Sequence, residues 1–315
     1  MDRLSHGYAR VLSPFGGKAR FISFSRARVF AFWSKDPSPL VRFLPALDKG
    51  GYSYFFLFTL NDYADEGLEP GVPSLTRRIQ TFQEISDHAG PGRVTWRFDP
   101  LVLSDATDVD TLLSRIKEVG DAVHTLTRRM VVSFLDIDRY PHVRTSLCAA
   151  GRGDVREVQA SELRSLAIGL QTLNRRWGLE ISLCSRAHKE FPGLLPGSCL
   201  GHTLLSREFG HDRTLMQFLS GGGQQCLPGV SGMDGPFSSD PSHHPLKDPG
   251  QRPECGCVVS ADIGEYHCCM HRCAYCYANG SQARVESRYR RYQEHQQRGL
   301  YSESLIPDKE GVQNW

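Results

Sequence analysis

The sequence predicts an α/β protein built on a TIM-like βα barrel, partial or complete, with an open doubly wound sheet as the alternative architecture. Two observations predict it. Between residues 28 and 185, short β-branched or aromatic runs alternate with longer segments of helical period. The runs are also nearly continuous in apolar residues, which is the pattern of parallel strands covered on both faces.

In order, the strand candidates are "RVFAFW" (Arg28 to Trp33), "SYFFLFTL" (Ser53 to Leu60), "RVTWRF" (Arg93 to Phe98), "RMVVSFL" (Arg129 to Leu135) and "LEISLC" (Leu179 to Cys184). Ser74 is placed to cap a helix with Leu75, Ile79, Phe82 and Ile85 on one face, stopped by Pro91-Gly92. A second helix is expected from about Asp108 to Leu126. A third starts at Ser161, carries Leu163, Leu166, Leu170 and Leu173, and ends near Gly178, where glycine suits a left-handed cap. Beyond Leu204 the periodicity fades, and 220–253 is a Gly/Pro/Ser-rich loop expected to act as a lid. "CVVSADIG" (Cys257 to Gly264) reads as a sixth strand that leads into a cysteine-rich loop spanning 255–279. The expected organisation is thus a single domain over 1–280 and a polar, partly helical tail over 281–315.

With 37 basic and 35 acidic residues the net charge is +2, so nothing points to nucleic acid or membrane binding by bulk electrostatics. The opening residues hold no apolar leader core, and "YFFLFTL" and "MVVSFL" are far too short to span a bilayer. A cytoplasmic protein is expected. In a reducing compartment its ten cysteines mark a metal or iron–sulfur site rather than disulfides.

"CCMHRCAYCYANG" (Cys268 to Gly280) places Cys269, Cys273 and Cys276 in a Cys-x3-Cys-x2-Cys spacing with Tyr275 just before the last thiol. Three thiolates so spaced can hold three irons of a 4Fe-4S cube and leave the fourth open. Tetrahedral zinc is the competing occupant, although zinc knuckles usually pair two Cys-x2-Cys units. Cys268 is a spare thiol. A second set, Cys255 and Cys257 with Cys184 and Cys199, could enclose another iron–sulfur cluster or a structural metal, the alternative being ordinary buried cysteines. Cys148 and Cys226 have no assigned partners. Strand-end polar residues complete the candidates: Arg97 to pair an anion, Asp99 to bond hydroxyls, and Lys35 and Asp136 in similar roles. Arg97 and Asp99 could equally form a structural pair. Asp262 could orient the cysteine loop, and Trp33 and Trp96 are expected in the core.

The cysteine motif resembles that of the radical S-adenosylmethionine superfamily, Cys-x3-Cys-x-aromatic-Cys on the loop after a barrel strand. The wider set "FWSKDPSPL", "YFFLFTLNDY", "GPGRVTWRFDPLVL", "VVSFLDI", "KDPGQRPECGCVVSADIGEY" and "CMHRCAYCYAN" resembles the bacterial family called domain of unknown function 1848, from about Gly7 to Asn279. Together the resemblances imply a barrel circularly permuted so that the cluster-binding strand comes last. They also imply an N-terminal strand that this chain starts after. Implied cofactors are a 4Fe-4S cluster and S-adenosylmethionine, cleaved reductively to a 5′-deoxyadenosyl radical. A flavodoxin or ferredoxin is the implied electron donor, and no substrate is implied. A looser similarity to spore photoproduct lyase rests on His271 and Tyr277; few basic clusters support a DNA substrate. The competing class is a non-catalytic iron–sulfur or zinc scaffold.

Overall fold

The protein is described by a computed structural model covering residues 2–12, 19–184, 194–221, 246–253 and 255–307. Cys226, most of the expected lid (222–245) and the end of the tail (308–315) lie outside the described residues.

A short helix α1 (Asp2–His6) precedes an antiparallel hairpin, β1 (Tyr8–Val11) with β2 (Arg20–Ser23). The body is a six-stranded parallel sheet: β3 (Val29–Ser34), β4 (Ser53–Thr59), β5 (Val94–Leu101), β6 (Arg129–Phe134), β7 (Glu180–Leu183) and β8 (Leu195–Pro196). The strands lie side by side in sequence order, without the reversal that defines a doubly wound sheet. Among the described residues β3 and β8 pair on one side only, and no closure into a barrel is seen there.

Between the strands run α2 (Ser38–Val41), α3 (Leu44–Lys49), α4 (Leu75–Ala89), α5 (Val109–Val123), α6 (Pro141–Ala149) and α7 (Ala160–Trp177). Ser74 caps α4 and Asp108 caps α5, accepting from the Arg77 and Thr111 amides. The helix expected from Ser161 begins one residue earlier, where Glu162 accepts from the Gln159 amide at 2.9 Å. Gly178 closes it in the left-handed region at φ 67°.

Two cores cover the two sheet faces. On one, Tyr54, Phe56, Phe58, Trp96 and Val132 pack against α4, α5 and α7. On the other, Phe55, Leu57 and Val131 meet α8 (His202–Phe209) and α9 (Arg213–Leu219). The doubled cover explains the unbroken apolar runs.

The strand expected at Cys257–Gly264 does not form. Its single ladder contact is an antiparallel bridge from Val258 to Lys247, because Val258 and Val259 donate to the Leu200 and Leu246 carbonyls of neighbouring loops. The sixth sheet strand is instead the two-residue β8, an edge position where proline is tolerated. The tail forms α10 (Gln282–Gln297), and the residues after it return to the hairpin, where the Arg10 amide donates to the Glu303 carbonyl at 2.9 Å. Among the described residues no helix is long and apolar enough to cross a membrane.

Candidate functional site

A cavity of about 380 Å³ opens at the carboxyl ends of the parallel strands. Trp33 and Lys35 reach it from β3, Thr59 from β4, Asp99 from β5, and Ser133 and Asp136 from β6. The opposite wall comes from the far end of the chain: Cys269, Cys273 and Cys276 all line the same cavity. Residues distant in sequence therefore converge where parallel sheets gather their functional groups.

The cysteine loop is held by a segment between β4 and α4. Ala274 donates its amide to Leu68, and the Gly71 amide donates to the His271 carbonyl, each at 2.9 Å. A Cβ on Gly71 would lie 2.5 Å from the Met270 carbonyl oxygen, so glycine is required for this close approach. Tyr275, the aromatic residue of the motif, is buried and donates to Glu69. Glu69 also accepts from Lys35 at 2.9 Å and from Asn61 at 3.0 Å. Burial alone would raise its carboxyl, but the Lys35 charge and these hydrogen bonds outweigh it and hold Glu69 below the ordinary glutamate range. His267 and Arg272, each immediately before a cysteine, sit at φ 55°, a region that side chains with a Cβ rarely occupy.

Burial pushes the Cys273 thiol up to about 12, Lys35 opposing the shift while Glu69 and the other two motif thiols add to it. Cys269 is exposed as a residue, yet the protein packed around its sulfur raises its thiol as well. Cys268 turns away, its thiol donating to the Glu265 carbonyl at 2.7 Å. Among the described residues no three His, Cys, Asp or Glu side chains converge closely enough to hold a metal ion. The three thiols are donors of the kind a thiophilic centre takes, but as placed they do not converge on one point.

Arg97, expected at the cavity mouth, does not line it. It is 1% exposed, pairs with Asp99, and donates to the Cys199 sulfur at 2.5 Å. The reason is its place on β5, one inward-facing position deeper than Asp99, where burial is tolerable only with charged partners. Asp99 and the Cys199 and Cys184 sulfurs outweigh burial and hold its guanidinium firmly protonated. Asp136 faces Arg252 across the cavity at 3.6 Å. Among the described residues Asp262 accepts from the nearby Gly264 amide, a local turn. Trp96 is core, as expected; Trp33 is not, being 59% exposed with its ring 4.0 Å from the Arg97 guanidinium. Sequence reasoning missed Glu69, Arg252 and Tyr140, whose ring stacks on that of Tyr277.

The second set of thiols also meets. The Cys184 and Cys199 sulfurs lie 3.8 Å apart, Cys257 reaches both Cys199 and Cys255, and its sulfur accepts the Leu200 amide at 3.3 Å. Side-chain contacts with Cys184 and Cys257, together with the Arg97 charge, hold Cys199 well below the usual thiol range. The same contacts push Cys184 and Cys257 up.

The family model described as domain of unknown function (DUF1848) matches residues 1–278. No curated protein and no solved structure matches the chain.

Proposed function

The chain belongs to the DUF1848 family, and on that premise we propose that it is a radical S-adenosylmethionine enzyme on an open, partial βα barrel. The observation that carries this reading is the meeting of Cys269, Cys273 and Cys276 with charged strand-end residues on one cavity. The sequential strand order supports the barrel-type description.

Cys269, Cys273 and Cys276 would hold a 4Fe-4S cluster. When bound, that cluster and S-adenosylmethionine supply a 5′-deoxyadenosyl radical by one-electron reductive cleavage. The protein's own residues bind and exclude. Lys35, fixed by Glu69, offers a cation to a carboxylate, and Arg252 offers another. Asp99 and Asp136 accept from hydroxyl or ammonium groups, Asp99 being fixed by Ser133 and Arg97. Trp33, Tyr140 and Tyr277 supply apolar walls that limit water. A low-potential donor such as a flavodoxin or ferredoxin, and a reducing compartment such as the cytoplasm, complete the requirements.

One observation favours a closed, non-catalytic metal centre instead. His271 lines the same cavity, and its Nδ1 donates to the Gly71 carbonyl at 3.1 Å, so that Nε2, the acceptor nitrogen of that tautomer, is the one that could act as a fourth ligand. Electron paramagnetic resonance of anaerobically reconstituted, dithionite-reduced protein separates the two. The enzyme reading expects the cluster signal to shift on adding S-adenosylmethionine, 5′-deoxyadenosine to appear, and Cys273→Ala to abolish both. Bound zinc, or a cluster spectrum that ignores S-adenosylmethionine in the parent chain and changes only in His271→Ala, supports the scaffold.

A further inference from the structure

Nothing in the cavity chemistry uses Cys184, Cys199, Cys255 or Cys257, yet the fold spends several devices on bringing them together. Cys184 ends β7. Gly197 packs so tightly on the Leu183 carbonyl and the Cys184 backbone that any Cβ there would collide, which pins the Cys199 segment against the strand end. The 255–258 segment is then zipped onto 197–200: the Gly256 amide donates to the Gly197 carbonyl at 3.0 Å, Val258 to Leu200 at 2.9 Å, and the Ser198 hydroxyl to the Gly256 carbonyl at 3.0 Å. Gly256, between two cysteines, faces the Gly197 carbonyl, where a Cβ would sit 3.3 Å away.

Polar groups are also aimed at the sulfurs. The Leu200 amide donates to Cys257 and the Arg97 guanidinium to Cys199. The buried Arg97 guanidinium has its single charge paired by Asp99 and still points a further N–H at the Cys199 sulfur. Donors of this kind, N–H groups pointing at sulfur, surround metal-bound thiolates because they offset the accumulated charge.

We infer that Cys184, Cys199, Cys255 and Cys257 form a second thiophilic metal site, occupied by a zinc-type ion or by an iron–sulfur cluster, separated from the cavity by the Arg97–Asp99 pair. The four sulfurs presently run as a chain of neighbours, not around one centre. Binding therefore requires rotation of the side chains and release of the thiol protons; a divalent ion binds with no electron transferred, while a 4Fe-4S cluster assembled from Fe3+ and sulfide takes the electrons for its ferrous irons from added dithiothreitol. The site stands independently of the cavity reading, since it shares no cysteine with it.

The test uses the full chain carrying Cys269→Ser, Cys273→Ser and Cys276→Ser together, which leaves the second set intact. One arm titrates Co2+ anaerobically. The other reconstitutes anaerobically with Fe3+, dithiothreitol and sulfide and measures both elements per chain. The inference expects either a tetrahedral thiolate–cobalt spectrum at one ion per chain, identifying an ion site, or stoichiometric iron and sulfide, identifying a cluster. Adding Cys199→Ser and Cys257→Ser to that chain is expected to weaken retention by about tenfold or more, as loss of metal-site contacts does. Cys148→Ser is expected to change nothing, its thiol being remote and exposed. If neither metal form is retained by the triple variant while circular dichroism shows it folded, the inference is overturned. If the triple variant does not fold, alkylation mapping of the metal-loaded parent chain decides: protected Cys184, Cys199, Cys255 and Cys257 support the site, and ready modification of all four overturns it.

Discussion

Tyr275 and Glu69 hold the candidate centre at its most buried point. Glu69 has its folded value below the ordinary glutamate range, so its stabilising contribution is complete above about pH 4.3 and is lost as the pH falls through the lowered value. Thermal melts of the parent and Glu69→Gln are therefore expected to differ most near neutral pH and to converge in acid. A gap that stays constant down to the acid limb would sink this account. Gly71→Ala is expected to displace the cysteine loop, because its new methyl meets two rigid backbone carbonyls, those of Met270 and His271. Iron retained after anaerobic reconstitution should fall several-fold, with the far-ultraviolet circular dichroism unchanged. The three motif cysteines, Lys35, Asp99 and Asp136 were legible in the sequence because spacing and strand ends announce them. Glu69 was not, because its partner Tyr275 lies 206 positions away and no local pattern links the two.

Among elements, the long ones were readable and the short ones were not. β3 to β7 and α4, α5 and α7 carry enough periodic apolar residues to declare themselves. α6, α8, α9, β8 and the β1–β2 hairpin are too short to be stable alone and exist because the body gives them a surface. The 257–264 segment shows the reverse failure: a strand-like composition loses to hydrogen bonds offered by adjacent loops. The contact of α5 with α7 supplies a paired prediction. Gly120 lies under the Trp177 ring, whose Nε1 donates to Asp121 at 2.9 Å, so the ring cannot move aside. Gly120→Ala is expected to cost about 1–3 kcal/mol in urea unfolding, as overpacking does. Gly169 instead meets the flexible end of Leu113. Gly169→Ala is expected to be near neutral or stabilising by up to about 1 kcal/mol, from helix propensity. Equal losses at the two sites would show that the ring does not set the limit.

At the scale of the molecule, the far end of the chain returns to its beginning. Buried Glu265 pairs with Arg288 and accepts the Leu305 amide at 2.8 Å, while Tyr8 donates to Glu303 at 2.6 Å. Glu265→Ala leaves a largely buried arginine and two amides without their acceptor, and is expected to destabilise by about 3 kcal/mol. Limited proteolysis should then cut after α10, where the parent chain resists; an unchanged digestion pattern would show the strap to be unimportant. The cavity's two walls come from opposite ends of the sequence, and that separation has a temporal side. A ribosome issues all six strands before the first residue of the cysteine loop, and chains fold as they emerge. The sheet is thus assembled while the thiols are still inside the exit tunnel or just leaving it. On the proposed reading, metal loading is then a closing act of biogenesis, expected on an already standing scaffold.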